Sequence, residues 1–318
     1  DQFRKTYEYW MSNPIDWNIS RKIVWGIRIP AWFKNKGTSE EEYYIGKEIP
    51  ENIGKGDGWV QDIDTFDTWF SSGQWPVATL GFAGGEDFKK YYPTQLMETG
   101  RDLVFKWVPR MVIFGLYATD FKVAPFKDIY LHGMTLDNKG QKMSKSKGNV
   151  MSPIDLADEY GMDALRMSLV VGTTPGNDIP VSKDKVNAYK KFVNKLWNIA
   201  RFVLENTEGV EASADLENEK VKRILEVKNI IAKHIEEYQL HLASEALYHY
   251  VWHEFADVVI EEVKKDLTDS NKAMLRYMLK EILTMAHPFM PFVTEEIWSD
   301  LPHQNKNLLI IETWPEYN

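Results

Sequence analysis

Past Pro180 the spacing of apolar residues changes, and that change constrains the fold more than any other feature of the 318 residues. From there on, apolar positions recur every three or four residues, as on helices that bury one face. "SKDKVNAYKKFVNKLWNIARFVL" comes first, then an acidic link, "ENTEGVEASADLEN". Helical runs follow near 219–237, 241–265 and 271–286, closing with "AHPFMPFVTEEIW". Leu275, Leu279, Ile282, Leu283 and Ala286 form one apolar stripe; Ala243, Leu247, Tyr250, Val251 and Val258 form another. Stripes of this kind must face one another, so the spacing predicts a helix bundle over 183–318.

The residues before Pro180 follow a different pattern. The opening "DQFRKTYEYWMSNP" reads as a helix that Asn13-Pro14 stops. From Ile15 to about Phe126 the chain is dense in Trp, Tyr, Gly and Pro, with apolar runs of strand length. Residues 34–58, "KNKGTSEEEYYIGKEIPENIGKGDG", read as a solvated excursion rich in turn residues. "YYPTQLMETG" reads as a strand feeding a helix in which Val104, Trp107, Val108, Met111, Val112 and Gly115 share a face. Pro109 is expected to bend that helix. Strand, Gly, then helix is half of a βαβ unit. "FKDIYLHGM" reads as a further strand, Asp137 to Gly140 as a turn, and "SPIDLADEYGMDALRMSLVVG" as helices broken at Gly161. The fold class expected is α/β followed by all-α, with domains at 1–125, 126–182 and 183–318.

Composition narrows the chemistry. The absence of Cys rules out a disulfide framework and a Cys-ligated zinc site, and no metal site is expected. No apolar run reaches membrane-spanning length and no signal peptide opens the sequence, so no membrane association and a cytoplasmic location are expected. A net charge of −9 means that any polyanionic partner must meet a local basic surface.

One such surface stands out. Lys139, Lys142, Lys145 and Lys147 fall within nine positions that contain no acid. A solvated hairpin tip would account for them, but like charges so spaced repel one another. Ser144, Ser146 and Gly148 add hydroxyls and mobility, and Met143 is an apolar residue on an otherwise polar loop. Ammonium groups with hydroxyl donors suit a phosphate chain. Gly100 and Asp102 stand where the strand meets the helix, a place where Gly admits close backbone approach and a carboxylate can accept from ribose hydroxyls. Asp102 as an ordinary acid at a helix start is the alternative. Trp69 and Trp107 fit either a core or an aromatic wall for an apolar ligand. His132 and Gly133 end a strand, where a half-buried structural His is also reasonable. Residues 183–201 set Lys183, Lys185, Lys190, Lys191, Lys195 and Arg201 against Asp184 alone. That is a basic helix suited to a phosphate backbone, or simply a solvated face.

The five letters "KMSKS" at Lys142 to Ser146 resemble the second signature of the class I aminoacyl-tRNA synthetases. Together with "DWNISRKIVWGIRIPAWF", "DTWFSSGQWPVATLGF", "PFKDIYLHGMTLDNKGQKMSKSKGNV" and "HPFMPFVTEEIW", the chain looks most like the valyl branch of that family over about residues 10–315. The isoleucyl branch is the rival; it usually has a second acid and a Leu where this chain has Ser71 and Lys147. The resemblance implies the second half of a Rossmann-like catalytic domain over 1–125. It further implies a KMSKS-loop (stem-contact) domain over 126–182 and an anticodon-binding bundle over 183–318. It implies that ATP, with Mg²⁺, activates valine and that a valine tRNA then accepts it, with no stable protein partner. Lys142 and Lys145 would be catalytic, with Met143, Ser144, Ser146, Gly100, Asp102, His132 and Gly133 around ATP. Trp69 and Trp107 would flank the amino acid, and the six cations of 183–201 would face tRNA. The family's H-I-G-H signature and editing insertion occur nowhere in these residues, so the resemblance implies the C-terminal part of a larger enzyme, inactive in isolation. A non-catalytic module that binds tRNA or nucleotide is the competing expectation.

Overall fold

The computed structural model describes residues 2–49, 58–301 and 307–314. The chain divides into two compact units, Asp1–Leu131 and His132–Asn318.

The first unit opens with helix α1 (Gln2–Ser12). Short strands follow: β1 (Ser20–Arg21), β2 (Ala31–Lys34), β3 (Glu42–Ile45), β4 (Val60–Gln61) and β5 (Thr65–Phe66). β1 pairs antiparallel with β5, and β2 lies between β3 and β4, antiparallel to both. Part of the expected solvated excursion is therefore a strand, registered from Ala31 opposite Ile45 to Lys34 opposite Glu42. Its Tyr43 and Ile45 still face solvent, which is why the segment reads as surface. Residues 50–57 of that excursion lie outside the described residues.

Helices α2 (Thr68–Gly73), α3 (Trp75–Ala78) and α4 (Glu86–Tyr91) lead to strand β6 (Thr94–Gly100), helix α5 (Trp107–Ala118) and strand β7 (Phe126–His132). β6 and β7 are hydrogen-bonded neighbours, so α5 is the helix of a strand–helix–strand unit. Its core joins Met97 of β6 to Val108 and Met111 of α5, with Tyr7, Trp107 and Phe126 packed against them. The apolar face of the helix is thus the one its spacing indicates. Pro109 does not interrupt the helix. The chain passes first through a 3₁₀ turn at Arg101–Leu103, and α5 begins only at Trp107. Pro109 then falls in the first turn, where a missing N–H costs nothing.

In the second unit β8 (Thr135–Leu136) runs parallel to β9 (Ile179–Pro180). Between them lie α6 (Pro153–Tyr160) and α7 (Met162–Val170), separated by Gly161 at φ +94°. The bundle follows: α8 (Lys183–Asn206), α9 (Glu219–Glu236), α10 (Leu240–His249), a π-helical stretch Tyr250–Val259, α11 (Ile260–Val263), α12 (Asp269–Ala286) and α13 (Pro291–Asp300). Ser182, Asn218 and Thr268 cap α8, α9 and α12 with their side chains, each satisfying an end N–H that the helix cannot.

The stripe at Leu275, Leu279, Ile282, Leu283 and Ala286 is fully buried. The other departs from its expected spacing at one residue. Ala243, Leu247, Tyr250 and Val251 are buried, but Val258 is 47% exposed and Val259 takes the inward place. The wider π turn shifts the buried face by one residue, which a period of 3.6 cannot anticipate.

Candidate functional site

In the first unit the expected amino-acid pocket residues sit on two helices locked to each other. Asp67 caps α2 by accepting from the Trp69 N–H at 2.7 Å, and it is itself buried and ion-paired with Arg21. From α5, the Trp107 indole N–H donates to the Ser72 carbonyl at 2.9 Å. Gly73 lets the two helices close up, since a Cβ there would lie 2.9 Å from the Phe114 ring of α5. Trp69 and Trp107 are each half-buried, so each keeps an accessible face. Gly100 is buried at the end of β6, and Asp102 is exposed in the turn that follows. A glycine followed by an exposed carboxylate at a strand end offers a ligand's hydroxyls an acceptor.

In the second unit His132 is exposed at the strand end and Gly133 is buried. A Cβ on Gly133 would run into the backbone of Asn177 and Asp178. The backbone is held close there: the Met134 N–H donates to Asp178 Oδ1 at 2.8 Å, and the Ile179 N–H to the Met134 carbonyl at 2.9 Å.

The lysine loop rises directly from β8. Asp137 organises its first corner, accepting from the Lys139 and Gln141 N–H groups at 2.9 and 2.8 Å, with Gly140 at φ +73°. Asn149 closes the loop from the far side. Its amide donates to Asp137 Oδ2 at 2.9 Å and to the Lys142 carbonyl at 3.3 Å, and its Oδ1 accepts from the Ser144 N–H at 2.9 Å. The Asn149 amide, then the Gln141 N–H, hold the Asp137 carboxyl below the usual carboxylate range. Ser144 and Ser146 share a hydroxyl contact at 3.2 Å.

Met143 is half-buried and packs on an apolar cluster of Leu156, Ala164, Leu165, Val181 and Val186. The one apolar residue of the loop thus anchors it. Lys142 and Lys147 remain exposed and make no ion pair among the described residues. Lys145 opens a 3₁₀ turn, Lys145–Lys147; its side chain lies outside the described residues. Ammonium groups held without internal carboxylates on a pinned loop are suited to capture a polyanion.

The cations of α8 divide into two sets. Lys183 pairs with Glu159 at 2.6 Å, Lys190 donates to the Glu159 carbonyl at 3.0 Å, and Lys195 pairs with Asp257 at 3.3 Å. Lys185 turns inward to the Val171 carbonyl at 2.9 Å, and burial lowers its pKa. Lys191 and Arg201 are exposed. Among the described residues no group of three His, Cys, Asp or Glu side chains gathers to hold a metal, and no helix is long and apolar enough to cross a membrane.

Sequence reasoning passed over Asp67 and Asn149, although each left a trace. Asp67 immediately precedes a short helical run, and Asn149 follows Gly148 at the end of the lysine segment.

Residues 217–318 match the anticodon-binding domain of tRNA ligase. The chain is 41% identical to the valine–tRNA ligase of Bacillus licheniformis and 42% identical to that of Bacillus subtilis, over 99% of its own length in each case. It spans 37% of the length of those relatives. Among solved structures, the Agrobacterium radiobacter K84 agnB2 LeuRS in ternary complex with tRNA and LeuAMS superposes with a TM-score of 0.77 at 19% identity, over 95% of this chain and 42% of that one. Mycobacterium tuberculosis methionyl-tRNA synthetase bound by methionyl-adenylate gives 0.70 at 20% identity, over 94% and 57%. The fold is therefore that of a class I synthetase catalytic region followed by an anticodon-binding bundle. Residues 1–182, more than half of the chain, match the family model described as tRNA synthetases class I (I, L, M and V), and the chain belongs to that family.

Proposed function

We propose that the protein ligates valine to its tRNA through a valyl-adenylate. The observation that carries this reading is the identity of 41–42% to two valine–tRNA ligases along 99% of the chain. In the first step an oxygen of the valine carboxylate attacks the α-phosphorus of ATP and pyrophosphate leaves. In the second, a terminal ribose hydroxyl of the tRNA attacks the acyl carbon and AMP leaves. The protein's part is positioning and charge stabilisation rather than covalent chemistry.

Lys142 and Lys145 meet the charge that develops on the β- and γ-phosphates, with Ser144 and Ser146 as hydrogen-bond partners and Met143 holding the loop in place. Asp102 accepts from the ribose, beside Gly100. His132 and Gly133 line the nucleotide. Trp69 and Trp107 flank the valine side chain, where an apolar slot excludes water. Mg²⁺ would accompany ATP on the phosphate oxygens, without a dedicated protein cage, and would supply neutralising charge there. Residues 126–182 carry the loop, and the bundle takes the tRNA, with Lys191 and Arg201 on the approach and Lys183, Lys190 and Lys195 beside them already engaged within the fold, while Lys185 turns inward. The setting is the cytoplasm.

The test is ATP–pyrophosphate exchange by the protein as its gene encodes it, run with valine, isoleucine, leucine and methionine. Exchange driven best by valine, followed by valylation of tRNA, is expected. Preference for isoleucine, or exchange with none of the four, overturns the assignment.

A further inference from the structure

Helix α7 carries two charged residues, Asp163 and Arg166, that act on helices other than its own. Helix α13 begins at Pro291 without a side-chain cap from its own N-terminal residue Met290. The buried Asp163 supplies one instead: its carboxylate accepts from the Phe292 N–H at 3.2 Å and the Val293 N–H at 2.6 Å. Three residues on, Arg166 donates to the Pro288 carbonyl at 3.0 Å and the Phe289 carbonyl at 3.3 Å, just past the end of α12. An acid thus meets the positive end of one helix and a guanidinium meets the negative end of the preceding one. Between them they bracket the α12–α13 junction.

The other face of α7 points to the lysine loop. Ala164 and Leu165 belong to the apolar cluster on which Met143 and Met151 pack. Met167, on the same helix, is completely buried in the core of the bundle. Two and a half turns of helix therefore connect two packed clusters, one holding the loop and one holding the helices of the bundle. An element so short and so fully packed moves as a unit.

We infer that Asp163 and Arg166 are positioning residues for the lysine loop. They fix α7 to the α12–α13 junction, and α7 fixes the loop through the apolar cluster that Ala164 and Leu165 share with Met143. The inference deepens the function proposed above and rests on it for its catalytic consequence.

The experiment measures hydrogen exchange at the Met143 and Ser144 amides, and the KM for ATP in pyrophosphate exchange, in Arg166→Ala and Asp163→Asn. Arg166 is exposed, so its replacement spares the core, and Asn at 163 keeps one acceptor. Loss of a cap of this kind is expected to speed exchange of the two loop amides about fivefold to tenfold and to raise the KM for ATP by a similar factor, leaving the KM for valine unchanged. Arg166→Lys, which keeps a donor, should recover part of both. Loosening confined to the Phe292 and Val293 amides, with the loop as protected as before, would overturn the inference. Hydrogen exchange needs no activity, so a protein that never activates valine would contradict the function alone, and the loop amides would still decide the coupling.

Discussion

Gly133 is where the requirement for one residue type is most direct. Its backbone lies against Asn177 and Asp178, and the added carbon of an alanine would meet main chain, not a side chain able to swing away. Gly133→Ala should therefore force β8 and β9 apart and cost about 1–3 kcal/mol. Urea unfolding of the variant checks this, and an unchanged midpoint would mean that the strand pair has slack. Asn149 matters for a different reason. One side chain satisfies the Asp137 corner, the Lys142 carbonyl and the Ser144 N–H, so the loop is held by polar bonds behind its cations and not by those cations. Trp107 combines both roles: its ring packs on the α5 core while its N–H reaches across to α2.

At the scale of elements, α9 and α12 meet across a buried ion pair. Lys228 is fully enclosed and paired with Glu281, and it lies 5.8 Å from the Trp314 ring. Burial lowers the lysine pKa, against the pull of Glu281. Glu281→Ala leaves a buried cation without its carboxylate, and a loss of about 3–5 kcal/mol is expected in denaturant unfolding. The double variant Lys228→Met with Glu281→Leu should regain most of it; a single variant as stable as the parent would show that the pair contributes nothing.

The helices themselves were legible in the sequence because their apolar period matches the face they bury. Ser182, Asn218 and Thr268 stand immediately before apolar stripes that are indeed buried. The π-helical stretch at Tyr250–Val259 was not legible, because its wider turn comes from packing and leaves no spacing of its own; Val258 faces outward as a result. Pro109 misled for a related reason, since its effect depends on where the helix starts and not on its presence. In the site, the loop's lysines could be read from charge alone. Its supports Asp163 and Arg166 could not, because their partners lie 122 to 130 residues away on backbone atoms, and Asn149 left only its place after Gly148 as a trace.

For the whole molecule, the acidic balance of −9 coexists with a basic helix in which most cations are already engaged. Lys183, Lys185, Lys190 and Lys195 have partners within the fold, leaving Lys191 and Arg201 as the more available charges. If α8 meets a tRNA backbone, Lys191→Ala should weaken binding and reduce the slope of log K against log salt by about one. An unaltered slope would place the RNA elsewhere on the bundle.

On the proposed function, Lys142 and Lys145 act on the phosphates of ATP and not on tRNA. The direct measurement is valine-dependent pyrophosphate exchange of Lys142→Ala and Lys145→Ala in the protein as its gene encodes it, with tRNA affinity measured on the same preparations. A fall in exchange of about a hundredfold to a thousandfold, with tRNA affinity changed little, is the result expected of donors aimed at developing charge. Exchange that persists near the parent rate while tRNA affinity collapses would contradict it.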